Sequence, residues 1–222
     1  MRYKTDKARL DAKAKRRQAD NALFKKNFPD IWNESNKRFS TAEEQWQNKE
    51  FKKALPAFKE VAEALASTGR RLEQIEKETT TLHTYCNEQY ESLKRGLTVF
   101  EPQIIDKVKP LLKQAEQYWK DELLAKAQPL YKRIRNLLPS SRFKKRDAQG
   151  TVADYHSGLL WISEIEEAGA TTPREWYRAL VWVKRLEFAG FDDWRLPTQD
   201  EVRNLLAGVS AEEIEMFFPD AD

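Results

Sequence analysis

Phe58, Val61, Leu65, Leu72, Ile75, Thr79, Leu82, Cys86, Leu93 and Phe100 recur at steps of three, four and seven residues. That spacing holds one face of a helix and predicts long antiparallel or coiled-coil helices over this stretch. Gly69 falls inside it and is expected to kink or split the segment. A second apolar face follows Pro102, through Val108, Ala115, Trp119, Ala127, Ile134 and Leu138. Pro110 and Pro129 should bend or divide it, because an internal proline removes a backbone hydrogen bond and crowds the preceding turn. Upstream, Phe28-Pro29 breaks the chain before a helix expected from Asp30 to about Asn48. With only seven glycines in 222 residues, residues 1–138 read as an elongated all-α bundle or coiled coil.

Ala42, Trp46, Phe51, Ala54 and Phe58 are spaced like one tetratricopeptide-type hairpin, near residues 42–65. A small Ala54 would let two helices approach while Phe58 fills the groove. No second copy follows at the expected period of ~34 residues, so an ordinary helix pair is the simpler reading.

Pro139-Ser140-Ser141 marks the clearest boundary, opening a linker with a basic strand over 139–150 and a second domain over 151–222. Thr151–Asp154 and Leu159–Ser163 read as a two-stranded hairpin. Thr172-Pro173-Arg174-Glu175 has the pattern of a capping box. The helix it starts is apolar on most sides and must be covered on more than one. Leu196-Pro197 forces an extended path, Thr198 and Glu201 form a second capping box, and Gly208 can end the helix that follows. Trp194 calls for a mostly buried site with an acceptor for its indole N–H, and Asp193 is expected to orient Arg195 or a backbone amide. Ser210 to Glu213 opens a last short helix ending at Phe217-Phe218-Pro219.

Arg142-Phe143, Gly150-Thr151-Val152, Gly158-Leu159-Leu160-Trp161, the helix through Trp176 and Leu180, and Gly190-Phe191-Asp192-Asp193-Trp194-Arg195-Leu196-Pro197-Thr198 follow one another in order. In that order they resemble the C-terminal domain of the Legionella collagen-like protein, a bacterial family. The resemblance covers roughly the last third of the chain. It implies a C-type-lectin-like α+β fold acting in binding or adhesion rather than catalysis, with Trp161, Trp176, Asp193, Trp194, Arg195, Pro197, Thr198 and Glu201 as its structural motif. The family domain continues past the corner into aromatic-rich strands whereas this sequence stops at Asp222, so a shortened domain is expected. The fold class is therefore α+β, a helical arm followed by this small domain.

Charge is unevenly placed. Six bases face fifteen acids from Thr151 to Asp222, leaving that stretch at −9 and residues 1–150 at +12. A chain of this polarity suits self-association or a charged partner. The basic run through Lys13, Lys15, Arg16 and Arg17 reads as a solvated helix end, because no aromatic or glycine interleaving accompanies it; the alternative is a phosphate-binding arm on nucleic acid. The start of the chain is polar and charged, and no stretch approaches the ~18 apolar residues of a membrane span. A cytoplasmic protein with no membrane partner is expected.

No catalytic set, metal site or cofactor is predicted. His83 and Cys86 are three apart on a helix, but no further Cys exists to complete a thiolate site. Asp154, His156 and Ser157 sit where a hairpin turn wants such residues for backbone reasons. Asp192-Asp193 supplies too few oxygens for calcium, which takes about 6–8. Trp161, Trp176 and Trp194 are assigned to the core. Trp182, Tyr177, Arg178, Phe217 and Phe218 are the expected partner contacts. The composite expectation is a non-enzymatic adaptor or regulatory subunit that binds another protein. Its alternatives are nucleic-acid binding by the basic half and glycan or small-ligand binding by the C-terminal domain.

Overall fold

The computed structural model describes residues 1–146, 150–165, 168–169 and 175–218. Six helices come first: α1 (Arg2–Ala19), α2 (Ala22–Asn27), α3 (Pro29–Gln47), α4 (Phe51–Phe100), α5 (Pro102–Lys120) and α6 (Leu124–Leu137). Three short strands follow, β1 (Phe143–Arg146), β2 (Thr151–Asp154) and β3 (Leu159–Ile162), then α7 (Trp176–Val183), α8 (Gln199–Leu206) and α9 (Ala211–Phe217). The class is α+β. The chain forms two compact units, one of Met1–Cys86 and Lys109–Asn136, the other of Asn87–Val108 and Leu137–Asp222.

In the first unit the stripe from Phe58 to Cys86 is buried at every position. Ala12, Ala42 and Ala54 are fully covered, and small side chains there let neighbouring helices approach until Phe39 and Phe58 meet edge to face at 5.6 Å. The α3–α4 pair turns through Lys49, whose φ is 61°. Arg9 grips Glu43 through two bonds of 2.6 and 2.8 Å and lies over Trp46. This pairing holds the Glu43 carboxyl below its ordinary range.

Gly69 does not split α4, which is continuous for 50 residues. Nor do Pro110 and Pro129 end their helices. The break falls instead at Asp121–Leu123, where Glu122 takes a φ of 61°. Asn27 makes that break: its amide donates to the Glu122 carbonyl at 2.8 Å, and its side-chain oxygen accepts from the Ala125 N–H at 2.8 Å. One distant side chain thus satisfies a donor and an acceptor that the helix ends would otherwise strand.

In the second unit the sheet is antiparallel in the order β1-β2-β3, with Val152 opposite Lys145 on one side and Trp161 on the other. β2 is buried along its whole length. Against it lies the last part of α4, where Gly96 donates its N–H to the Tyr155 carbonyl at 2.9 Å. A Cβ on Gly96 would stand 2.2 Å from the Tyr155 Cα, so only glycine fits. The Tyr155 hydroxyl donates to Glu101 at 2.8 Å, and Lys144 pairs with the same carboxylate. Burial and that acceptor both push the Tyr155 hydroxyl pKa up.

Arg142 ties the corner helix to the sheet. Its guanidinium meets both oxygens of the buried Asp154 at 2.7 and 2.8 Å and donates to the carbonyls of Asn204, Leu205 and Ala207 at the end of α8. Asp154 also accepts from the His156 N–H and the Ser157 hydroxyl. Burial alone would raise its pKa, but these donors outweigh it and hold the carboxyl below the usual range.

Candidate functional site

The corner is built locally. Ala189 and Gly190 both have positive φ, 55° and 80°, and Phe188 and Phe191 exchange two 3.0 Å backbone bonds across them, as a tight two-residue hairpin turn requires. The Trp194 indole donates to the Phe188 carbonyl at 3.0 Å and lies against the rings of Phe188 and Phe191. The chain then passes Pro197 to Thr198, itself extended, whose hydroxyl accepts from the Glu201 N–H at 3.2 Å while Glu201 accepts from the Thr198 N–H at 2.7 Å. Arg195 donates to Glu201 at 2.8 and 2.5 Å. It is Glu201 and not Asp193 that orients Arg195, because the capping box holds Glu201 where each of its oxygens meets one guanidinium nitrogen. The pairing, with the Thr198 N–H, lowers the Glu201 pKa to about 2.

An apolar groove of about 730 Å³ lies between β3 and this corner. Trp161, Trp182 and Trp194 line it with Phe191 and Leu196, and α4 contributes Val99 and Phe100. Charged groups are few, and Arg195 and Glu201 answer each other. Arg146 leans over the Phe100 ring. The indole N–H of Trp161 is buried and has no acceptor among the described residues.

Beside the groove, α7 exposes Trp176, Tyr177, Leu180 and Val181. Trp176 is 66% exposed, which corrects its assignment to the core. Only Val183, one turn further, is buried on this helix, since eight residues cannot turn every apolar side chain toward one sheet. Trp161 and Trp194 are half-buried. Tyr177 carries Arg178 on its hydroxyl at 2.9 Å, and both face solvent. Trp182 is half-buried in the groove wall. Phe217 and Phe218 pack on Phe143 at 5.5 and 5.7 Å, closing the far side of the sheet. The Thr172–Glu175 capping box lies outside the described residues, apart from Glu175.

The remaining sequence candidates are dispersed. Lys13 is 3.7 Å from Glu43, Lys15 bonds Gln18, and Arg16 bonds Asn36 and lies over Phe39; Arg17 is exposed. His83 stacks on Trp119 and faces Glu116 at 3.1 Å. The Cys86 thiol meets the Tyr131 carbonyl, and burial pushes its pKa up to about 11. Ser157 bonds Asp154, whereas the His156 ring meets Ser92, so Asp154, His156 and Ser157 form no relay. No cluster among the described residues is placed to hold a metal ion, and none of their helices is long and apolar enough to cross a membrane.

Sequence reasoning passed over the groove itself. Its signal was present in Leu159-Leu160-Trp161-Ile162, four consecutive apolar residues where a half-solvated strand would alternate.

Sheet, short apolar helix and capped corner define a small α+β domain. Residues 150–222 match the family model of the Lcl C-terminal domain. No curated protein and no solved structure matches the chain.

Proposed function

We propose that the chain is a non-enzymatic, cytoplasmic interaction protein of the adaptor type, whose sheet-bearing unit binds another protein through the groove and the exposed side of α7. One observation carries this reading: an apolar groove walled by three tryptophans adjoins a helix whose Trp176, Tyr177, Leu180 and Val181 lie open to solvent. Contiguous apolar surface of this kind marks a contact site, and aromatic side chains in such a patch supply most of the binding energy. A C-type-lectin-like arrangement of sheet, helix and corner belongs to the same proposal.

Nucleic-acid binding is less well supported, since Lys13 and Arg16 already face partners in their own unit. Placing a photo-crosslinking amino acid at Tyr177 or Val181 in the native cell tests the proposal. A discrete protein adduct is expected at both positions and none at Lys77 on the exposed side of α4. Equal labelling at all three would overturn it.

A further inference from the structure

We propose that the groove takes one extended segment of a partner protein, added as a fourth strand along the edge of β3, with which no other strand pairs among the described residues. This rests on the interaction reading above and names the form of the partner.

The sheet order places β1 and β3 at its two edges. An edge strand presents unpaired N–H and C=O groups, and proteins blunt such edges with charge or cover them. β1 is blunted: it carries Lys144, Lys145 and Arg146, and α9 packs beside it through Phe217 and Phe218. β3 carries no charge at all.

The groove takes in that second edge and reaches from it to Val99 and Phe100 of α4 and to Arg146. Side chains of successive strand residues leave opposite faces, so a cavity over one face would meet every second residue. This one meets Gly158, Leu159, Leu160, Trp161 and Ile162 without a gap. Its facing wall includes the run from Asp193 to Pro197, which belongs to no helix or strand. A slot with a strand edge on one side fits a single added strand, with main-chain bonds giving affinity and pockets for alternate side chains giving selectivity.

The charges in the lining set the occupant's chemistry. With Arg195 held by Glu201, the charges left in the lining are Arg146 and Asp193, one of each sign. The segment is therefore apolar at alternate positions and carries no net charge. In a second copy of this chain β1 is basic and β2 is central in its own sheet, so only its β3 fits, and a dimer of the full chain in solution would overturn a foreign segment.

The test selects phage-displayed random peptides of about ten residues, the upper end of strand lengths, on the full chain. The expected peptides show apolar residues at every second position and near-zero net charge. Methylating single backbone nitrogens of a synthetic copy should weaken binding about tenfold at alternate positions only. Peptides with apolar residues three and four apart, or binding indifferent to backbone methylation, would overturn strand addition and leave the interaction reading standing. Failure to select any peptide above background would remove both.

Discussion

The two units handle aromatic residues in opposite ways. The helical unit covers Phe24, Phe39 and Phe58 almost completely and half-covers Trp32 and Trp46. The sheet-bearing unit fixes Tyr155 and Phe143 in its core but leaves Trp176, Tyr177 and Phe191 at 66%, 58% and 46% exposure. Helices α1 and α3, of 18 and 19 residues, and α4 as far as Cys86 have enough length to face one another along a continuous seam. Strands of four residues and a helix of eight do not. The second unit holds its shape less by the extent of its core than by a few specific contacts: Gly96 on Tyr155, Arg142 on Asp154, and the capped corner. Its stability should therefore be concentrated in single residues, whereas that of the helical unit is spread along the seam.

The sharpest break would come at Gly96. Alanine there would put a methyl 2.2 Å from the Tyr155 Cα and 2.7 Å from its carbonyl oxygen. Backbone cannot yield as a flexible side chain can. Overpacking ordinarily costs about 1–3 kcal/mol, and Gly96→Ala should cost at least roughly 3 kcal/mol. Hydrogen exchange on the full chain should show protection lost over β2 and β3 and retained over α3. Unchanged protection in β2 would contradict the idea that one contact sustains the sheet.

Next in size is the Arg142–Asp154 pair. Asp154 is fully buried, so Arg142→Met would strand a carboxylate in the interior, at about 3–5 kcal/mol. It would also release the three α8 carbonyls. Pairing it with Asp154→Leu should recover much of the loss, because the stranded charge and not the missing attraction sets the cost. Urea unfolding of the three variants measures this; a double variant no better than Arg142→Met would show that the carbonyl contacts dominate.

These two contacts also mark the limit of what the sequence discloses. Period, breaker and capping signals are local, and the local features are legible: the stripe from Phe58, the hairpin Thr151–Asp154 with Leu159–Ser163, the box at Thr198 and the short helix opened at Ser210 all stand in the structure. Gly96 reads locally as no more than a weak point in a helix; nothing near it announces Tyr155, some sixty positions on. Asn27 likewise gives no sign that it ends a helix near Glu122. The sequence puts Trp176 in the core, yet exposure depends on whether a neighbour exists to cover it. Arg195 found Glu201 rather than Asp193 because the helix after the corner, not proximity in sequence, decides which carboxylate is in reach.

Acid should separate the units in milder fashion. Asp154 has a folded pKa below its unfolded value, so its contribution is fully present above about pH 4 and is lost as pH falls through the depressed folded value. Glu43 in the helical unit shifts in the same direction, but it is partly open to solvent, where screening reduces its effect. Fluorescence-detected unfolding at pH 7 and pH 3 should show the larger fall in the sheet-bearing unit. Asp154→Asn should flatten that dependence. An equal fall in both units, unaffected by Asp154→Asn, would place the acid sensitivity elsewhere.

The smallest expected effect has the opposite sign. α4 contains a second glycine, Gly69, at which an added Cβ would meet nothing within 4 Å. In a helix interior alanine is favoured over glycine by about 0.8–1.0 kcal/mol, because glycine loses more backbone freedom on folding. Gly69→Ala should therefore stabilise the helical unit by somewhat less than 1 kcal/mol and leave exchange over β2 unchanged. The same chemical change, 27 positions apart on one helix, would then strengthen one unit and break the other. If Gly69→Ala instead destabilised, the glycine would be serving a bend or a close approach, and the helical unit would depend on single residues as its neighbour does.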